Sequence, residues 1–169
     1  MQSIYHLIVF WLRPNNRSSL FFALSNFLIF VRNATSSYLY EPLFNVEGSL
    51  FYSDWVSTRC EYLTVPLIGY TFFAYCDELL TGLLPSVVRR VMFYSAVLVA
   101  ASMFFVDVYT LTTLLNWYLV VPIGIMGVGL WYLIRYALVG PDEFRHEARM
   151  IIAFMLLVYW AAAADMMAV

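Results

Sequence analysis

The sequence predicts an all-α, polytopic helical membrane protein with four to five transmembrane helices and an N-terminal interfacial helix. Two observations lead to this fold class. The first is composition: of 169 residues, 63% are hydrophobic and only 12% are charged, and the mean hydropathy is +0.79. A soluble domain carries about 25% charged residues, and a water-soluble chain this apolar would expose large apolar patches. The chain therefore belongs to the membrane class.

The second observation is the stretch from Val91 to Val139, in which Asp107 and Arg135 are the only charged residues. A helix needs about 20 apolar residues to cross the roughly 30 Å hydrocarbon core of a bilayer. The stretch is long enough for two crossings and contains a polar segment around Asp107 at which the chain can turn. We therefore predict a transmembrane hairpin here.

Three segments precede the predicted bundle. Residues 1–17 form an interfacial amphipathic segment, with Trp11 as an anchor and the arginine heads in water. Residues 18–32 form a short transmembrane helix if Arg17 and Arg32 snorkel outward, and otherwise do not cross. Residues 33–62 are predicted as an aromatic-rich extramembrane loop that packs on a partner or on the membrane surface.

Residues 63–169 are predicted as a helical transmembrane bundle. Its spans lie at about 63–84, 91–107, 114–139 and 150–169, and a short charged connector precedes the last one. Small residues recur on both arms of the hairpin and allow close helix approach, which drives association inside a membrane. The residues predicted to serve helix packing are Ala96, Ala100, Gly124, Gly127 and Gly129.

The distribution of arginine predicts an orientation. The chain has nine basic residues, all arginine, and the five-span arrangement sorts them unequally between the two sides. Arginine beside a span stays on the cytoplasmic or matrix side. That side would hold Arg13, Arg17, Arg89, Arg90, Arg135, Arg145 and Arg149, and the other would hold Arg32 and Arg59. The cluster Arg89, Arg90, Arg145 and Arg149 is predicted to bind lipid headgroups, such as those of cardiolipin.

Asp77 and Glu78 interrupt the final third of the predicted span 63–84. Acids within a membrane are costly and often mark proton or ion paths. With Arg135 they are the candidates for an intramembrane ion pair or proton site. Two alternatives stay open: the helix ends near Cys76 and the acids are interfacial, or the acids pair with Arg89, Arg90 or Arg135.

Motifs for other chemistry are missing from the sequence. It has no phosphate-binding glycine loop, no His-Glu metal pattern and no nucleophile elbow, so we predict no catalytic residue, no metal site and no cofactor. His6 and His146 do not fall on neighbouring spans as a buried haem would require. The net charge of −2 and the absence of a basic face argue against nucleic-acid binding.

These features favour a non-catalytic subunit of a large energy-converting complex of the mitochondrial inner membrane, either a respiratory complex or ATP synthase. Its partners would be other membrane subunits and phospholipid. The mitochondrial expectation comes from the start of the chain, which holds Arg13, Arg17 and Arg32 before the first acid, Glu41, as transit peptides do. The alternatives are a quinone- or haem-site anchor of the succinate dehydrogenase type, using Asp77, Glu78 and Arg135, and a small transporter or channel.

Overall fold

The structure is a computed structural model that describes residues 2–12, 17–36, 50–113 and 115–167. Within these ranges the chain is all-α, as predicted, and forms seven helices and no strand. The helices are α1 Gln2–Leu12, α2 Arg17–Ser36, α3 Leu50–Leu79, α4 Ser86–Ser102, α5 Val108–Thr113, α6 Leu115–Val139 and α7 Asp142–Met167.

The long helices pack against one another with alternating direction. Ring contacts between Phe21 and Tyr70 (6.5 Å) and between Phe22 and Tyr75 (5.4 Å) join the start of α2 to the end of α3. A tight turn then reverses the chain into α4, and Tyr70 also contacts Phe93 of α4 at 5.2 Å. The Tyr136 hydroxyl near the end of α6 donates a hydrogen bond to the Leu80 carbonyl just after α3.

This arrangement collects most charged residues of the described helices at one end of the bundle, which we call the charged end. It comprises the last turns of α3 and α6 and the first turns of α4 and α7. The charged residues there are Asp77, Glu78, Arg89, Arg90, Arg135, Asp142, Glu143, Arg145, Glu147 and Arg149. The core lies beside it, where Phe73, Leu80, Ala96, Leu133 and Ala148 are fully buried.

Two helices, α3 and α7, begin earlier than the predicted segments, and both do so for the same physical reason. Residues 50–62, predicted as part of a loop, are the first part of α3, and α7 begins at Asp142 instead of residue 150. Hydropathy reports whether a segment suits a membrane, whereas helix formation tolerates charged residues. Asp142 and Glu143 in the first turn of α7 even favour a helix start, because they face the positive end of the helix dipole. Residues 37–49 lie outside the described residues.

The first arm of the hairpin, α4, begins and ends earlier than the predicted residues 91–107. It starts after Pro85, whose φ of −56° suits a helix start, and ends at Ser102. The short helix α5 occupies part of the connection to α6, where a turn was expected.

By length and composition, one helix of the described residues could cross a membrane, Tyr118–Val139 within α6. The prediction of four to five such helices is therefore supported for one of them only. α4 has only 17 residues, fewer than the roughly 20 that a crossing needs.

Candidate ligand-binding site at the charged end

The turn between α3 and α4 is built around the Asp77 carboxylate. Its Oδ1 accepts a hydrogen bond from the Leu84 backbone N–H at 2.7 Å, and its Oδ2 accepts one from Arg89 Nη1 at 3.0 Å. Asp77 is only 5% exposed, so its charge is compensated by Arg89 inside the protein and not by water. One side chain thus fixes both the shape of the turn and the position of the first turn of α4.

The backbone of this turn requires an unusual conformation at two residues. Thr81 has a φ of 44° and Gly82 a φ of 87°, both in the left-handed region. Glycine adopts this region without a steric cost, whereas threonine does so rarely. The two hydrogen bonds of Asp77 hold the turn in this form, since they connect the residues on either side of it.

The three predicted ion-pair residues are divided between two cavities. Asp77 and Glu78 line a cavity of about 290 Å³ together with Ser86 and Arg89. Arg135 lines a second cavity, of about 360 Å³. The segment Gly82–Leu84 contributes to both cavities and lies between them. The structure therefore brings Asp77 to Arg89, one of the three arginines left open by the sequence, and does not bring it to Arg135.

The cavity of Arg135 is the larger of the two. Tyr132 and Tyr136 of α6 lie beside Arg135, and Leu84 and Pro85 form the facing wall. Arg135 is exposed, and within the described ranges its guanidinium makes no hydrogen bond or ion pair. Of the described residues that line this cavity, it is the only charged one, so the cavity favours an anion.

The four arginines predicted to bind lipid headgroups fall into two pairs. Arg89 is bound to Asp77, and Arg145 binds Asp142 Oδ1 at 2.7 Å and the Gly140 carbonyl at 2.7 Å through Nε. Arg90 and Arg149 are exposed. Only the second pair has its guanidinium groups available to a ligand without breaking a contact that the structure describes.

The predicted packing residues also differ in what surrounds them. Ala96 and Ala100 are buried, and a Cβ on Gly129 would lie 2.5 Å from ring carbons of Phe73. Gly124 and Gly127 are exposed, and a Cβ on either would meet nothing within 4 Å. The first three residues thus pack within this chain, and the two glycines lie at its surface.

Two residues that connect distant parts of the fold were not predicted from the sequence. Tyr136 joins α6 to the turn after α3 through the Leu80 carbonyl. At the opposite end of the bundle, Arg59 donates hydrogen bonds to the carbonyls of Met103 and Val106 (2.7 Å to the latter), just beyond the end of α4. No local pattern could have revealed these partners, because they lie more than forty residues away along the chain.

Among the described residues, no group of three or more His, Cys, Asp or Glu is placed to hold a metal ion. His146 is exposed, and the side chain of His6 lies outside what the structure describes. Comparison with protein-family models, with curated proteins and with solved structures gives no match. Any function must therefore be argued from this chain alone.

Proposed function

We propose that this protein is a non-catalytic, integral membrane subunit of a large energy-converting complex of the mitochondrial inner membrane. The observation that supports it most is the outer surface of the bundle. Large apolar side chains are exposed on α2, α4, α6 and α7, including Phe30, Leu98, Ile123, Trp131 and Phe154, at 63–71% exposure. Soluble monomers rarely expose contiguous apolar surface on this scale, whereas lipid tails solvate it.

The dimensions of the bundle support immersion in a bilayer. The candidate span Tyr118–Val139 has 22 residues, or about 33 Å of helix, against a hydrocarbon core of roughly 30 Å. Only 22% of its most apolar part is buried in the chain. A core helix of a soluble protein would be mostly covered by its own chain, so the exposure of this helix favours a lipid or protein partner outside it.

The charges are arranged as a membrane requires. The charged end holds Asp77, Arg89, Arg135 and the start of α7, while Arg59 and Asp107 lie at the opposite end. The ring contacts of α2 with α3 are consistent with Arg17 near this end, which is the side to which the five-span arrangement assigns it. The predicted excess of arginine on the matrix side would then lie at this end.

Gly127 supports a role as a subunit. In the membrane, close contact between helices depends on small residues, and Gly127 leaves an uncovered gap on the surface of α6. A helix of a neighbouring subunit could approach the α6 backbone there. The quinone-site anchor remains a second proposal, ranked lower because Asp77 and Glu78 line one cavity and Arg135 another.

The test is to solubilise the native membrane in mild detergent and isolate the tagged chain. We expect it to migrate with a large complex on a native gel, together with other membrane subunits. The Gly127→Leu variant fills the gap on α6 and should release the chain from that complex without unfolding it. A wild-type chain that is a stable monomer in mild detergent, with no co-purifying subunit, would contradict the proposal.

A further inference from the structure

A groove runs along the hairpin between α4 and α6. Its apolar part has a volume of about 380 Å³. On α4 it is lined from Val88 through Met92 to Ser95, and on α6 from Val128 to Val121. Because the two helices are antiparallel, Val88 and Val128 form the end of the groove nearer to the charged end.

The cavity of Arg135 continues this groove along the same helix face. Val121, Ile125, Val128, Tyr132 and Arg135 follow one another at intervals of three or four residues, which places them on one side of α6. Tyr132 is one turn beyond Val128, and Pro85 is two residues before Val87, so along each wall the residues that follow the groove line the cavity of Arg135. We call the groove and this cavity together the channel, with a cationic end and an apolar remainder.

We propose that this channel binds one anionic phospholipid, with its phosphate at Arg135 and an acyl chain between α4 and α6. The inference rests on the proposed membrane location. Arginine binds phosphate through a planar fork of N–H donors, and the absence of an acidic lining residue in that cavity leaves its charge unopposed. This site differs from the predicted cluster, in which Arg89 and Arg145 already bind carboxylates of this chain.

The length of the channel fits a lipid better than a free anion. From Arg135 to Val121 is about 21 Å along a helix axis. One leaflet with its headgroup region is about 20–22 Å, half of a bilayer of 40–45 Å. Inorganic phosphate would occupy only the cationic end and leave the apolar part uncovered. Gly124 contributes to the floor of the apolar part, where the absence of a side chain leaves room for the acyl chain.

The experiment measures lipid binding to the purified full-length chain in detergent by native mass spectrometry. Phosphatidylglycerol and phosphatidylcholine with identical acyl chains are compared, together with inorganic phosphate. Both lipids carry a phosphate, but the choline cation of phosphatidylcholine offsets that charge and is repelled by Arg135, so we expect phosphatidylglycerol to bind about tenfold more tightly. Equal affinities for the two lipids, or full competition by inorganic phosphate at the same concentration, would overturn the proposal.

Two matched pairs of variants locate the site. Arg135→Gln should abolish the preference for phosphatidylglycerol, whereas Arg90→Gln, at an exposed arginine of the same end, should retain it. Gly124→Leu should weaken phosphatidylglycerol binding, whereas Gly127→Leu, outside the channel, should not. Equal effects within either pair would refute the assignment, provided that thermal unfolding shows each variant folded. Subunit assembly is tested with Gly127→Leu in the native membrane, whereas lipid binding is measured on the isolated chain. Failure of this inference is therefore distinguishable from failure of the proposed function.

Discussion

The ring of Phe73 occupies the space in which a residue larger than glycine at position 129 would place its Cβ atom. Three ring carbons lie within 2.6 Å of that point, and Phe73 is fully buried, so the ring has no free space to move into. This contact joins α3 to α6 near the middle of the bundle. Among the three glycines predicted to serve helix packing, Gly129 alone has such a neighbour within 4 Å.

Replacing Gly129 by alanine should therefore destabilise the protein by about 1–3 kcal/mol, as overpacking of a filled core does. Gly127→Ala is the control, because its Cβ meets nothing within 4 Å. It should be neutral or raise stability by up to about 1 kcal/mol through its higher helix propensity. Thermal unfolding in detergent, followed by circular dichroism, gives both values. Equal stability of the two variants would mean that the α3–α6 contact is not as close as described.

The ion pair between Arg89 and Asp77 makes a second prediction. Arg89→Met should lower the free energy of unfolding by about 1–2 kcal/mol. We expect a value in the lower part of the range for hydrogen bonds to charged groups, because Arg89 is about half exposed. Arg90→Met removes an exposed neighbour and should change the free energy of unfolding by less than about 0.5 kcal/mol. A double-mutant cycle with Asp77→Asn measures the coupling directly. No coupling between the two positions would show that Asp77 has another partner.

Arg59 should be needed to order the chain after α4. Its guanidinium binds two carbonyls at once, so Arg59→Lys, which keeps the charge but not the fork, should lose one of these contacts. We expect faster amide hydrogen exchange at residues 103–106 in Arg59→Lys and faster still in Arg59→Met. Arg149→Met, at the charged end, serves as the control. Unchanged exchange in all three variants would contradict the assigned role.

A pH dependence is expected at the start of α5. The Thr110 side chain and backbone N–H, the latter at 2.9 Å, donate hydrogen bonds to Asp107 and hold the pKa of its exposed carboxyl below the ordinary value. A lowered pKa means that this stabilisation is present above the pKa of the unfolded chain and is lost as the pH falls through that of the folded protein.

Amide exchange at Thr110, corrected for its intrinsic pH dependence, should therefore accelerate on acidification. Asp107→Asn caps the helix without titrating, so its corrected exchange should not change with pH. Asp107→Ala should exchange rapidly at every pH. An identical pH profile in wild type and Asp107→Asn would exclude Asp107 as the responsible group.

The sequence was sufficient for the helical class, because this depends on local composition. It was less informative on where helices begin. Residues 50–62 and Asp142–Arg149 are too polar to read as membrane spans, yet they extend α3 and α7. Hydropathy detects the environment of a helix and not its hydrogen bonds.

The candidate site was likewise predictable from the sequence only in part. Asp77 was identifiable as an acid in an apolar segment, but its partner depends on the turn at Thr81 and Gly82, which returns the first turn of α4 to the end of α3. Arg135 was predicted beside Asp77 and instead lines a separate cavity with Tyr132. Its neighbours come from a turn about fifty residues earlier, and no spacing within α6 reveals them.

The central claim is that lipid, and not water, surrounds the bundle in its working state. The most direct measurement is size-exclusion chromatography with light scattering on the purified full-length chain, with and without amphiphile. We predict a monodisperse protein in detergent or in nanodiscs and aggregation when the amphiphile is removed, since side chains such as Leu98, Ile123 and Trp131 would then face water. A folded, monodisperse chain in amphiphile-free buffer would contradict the account.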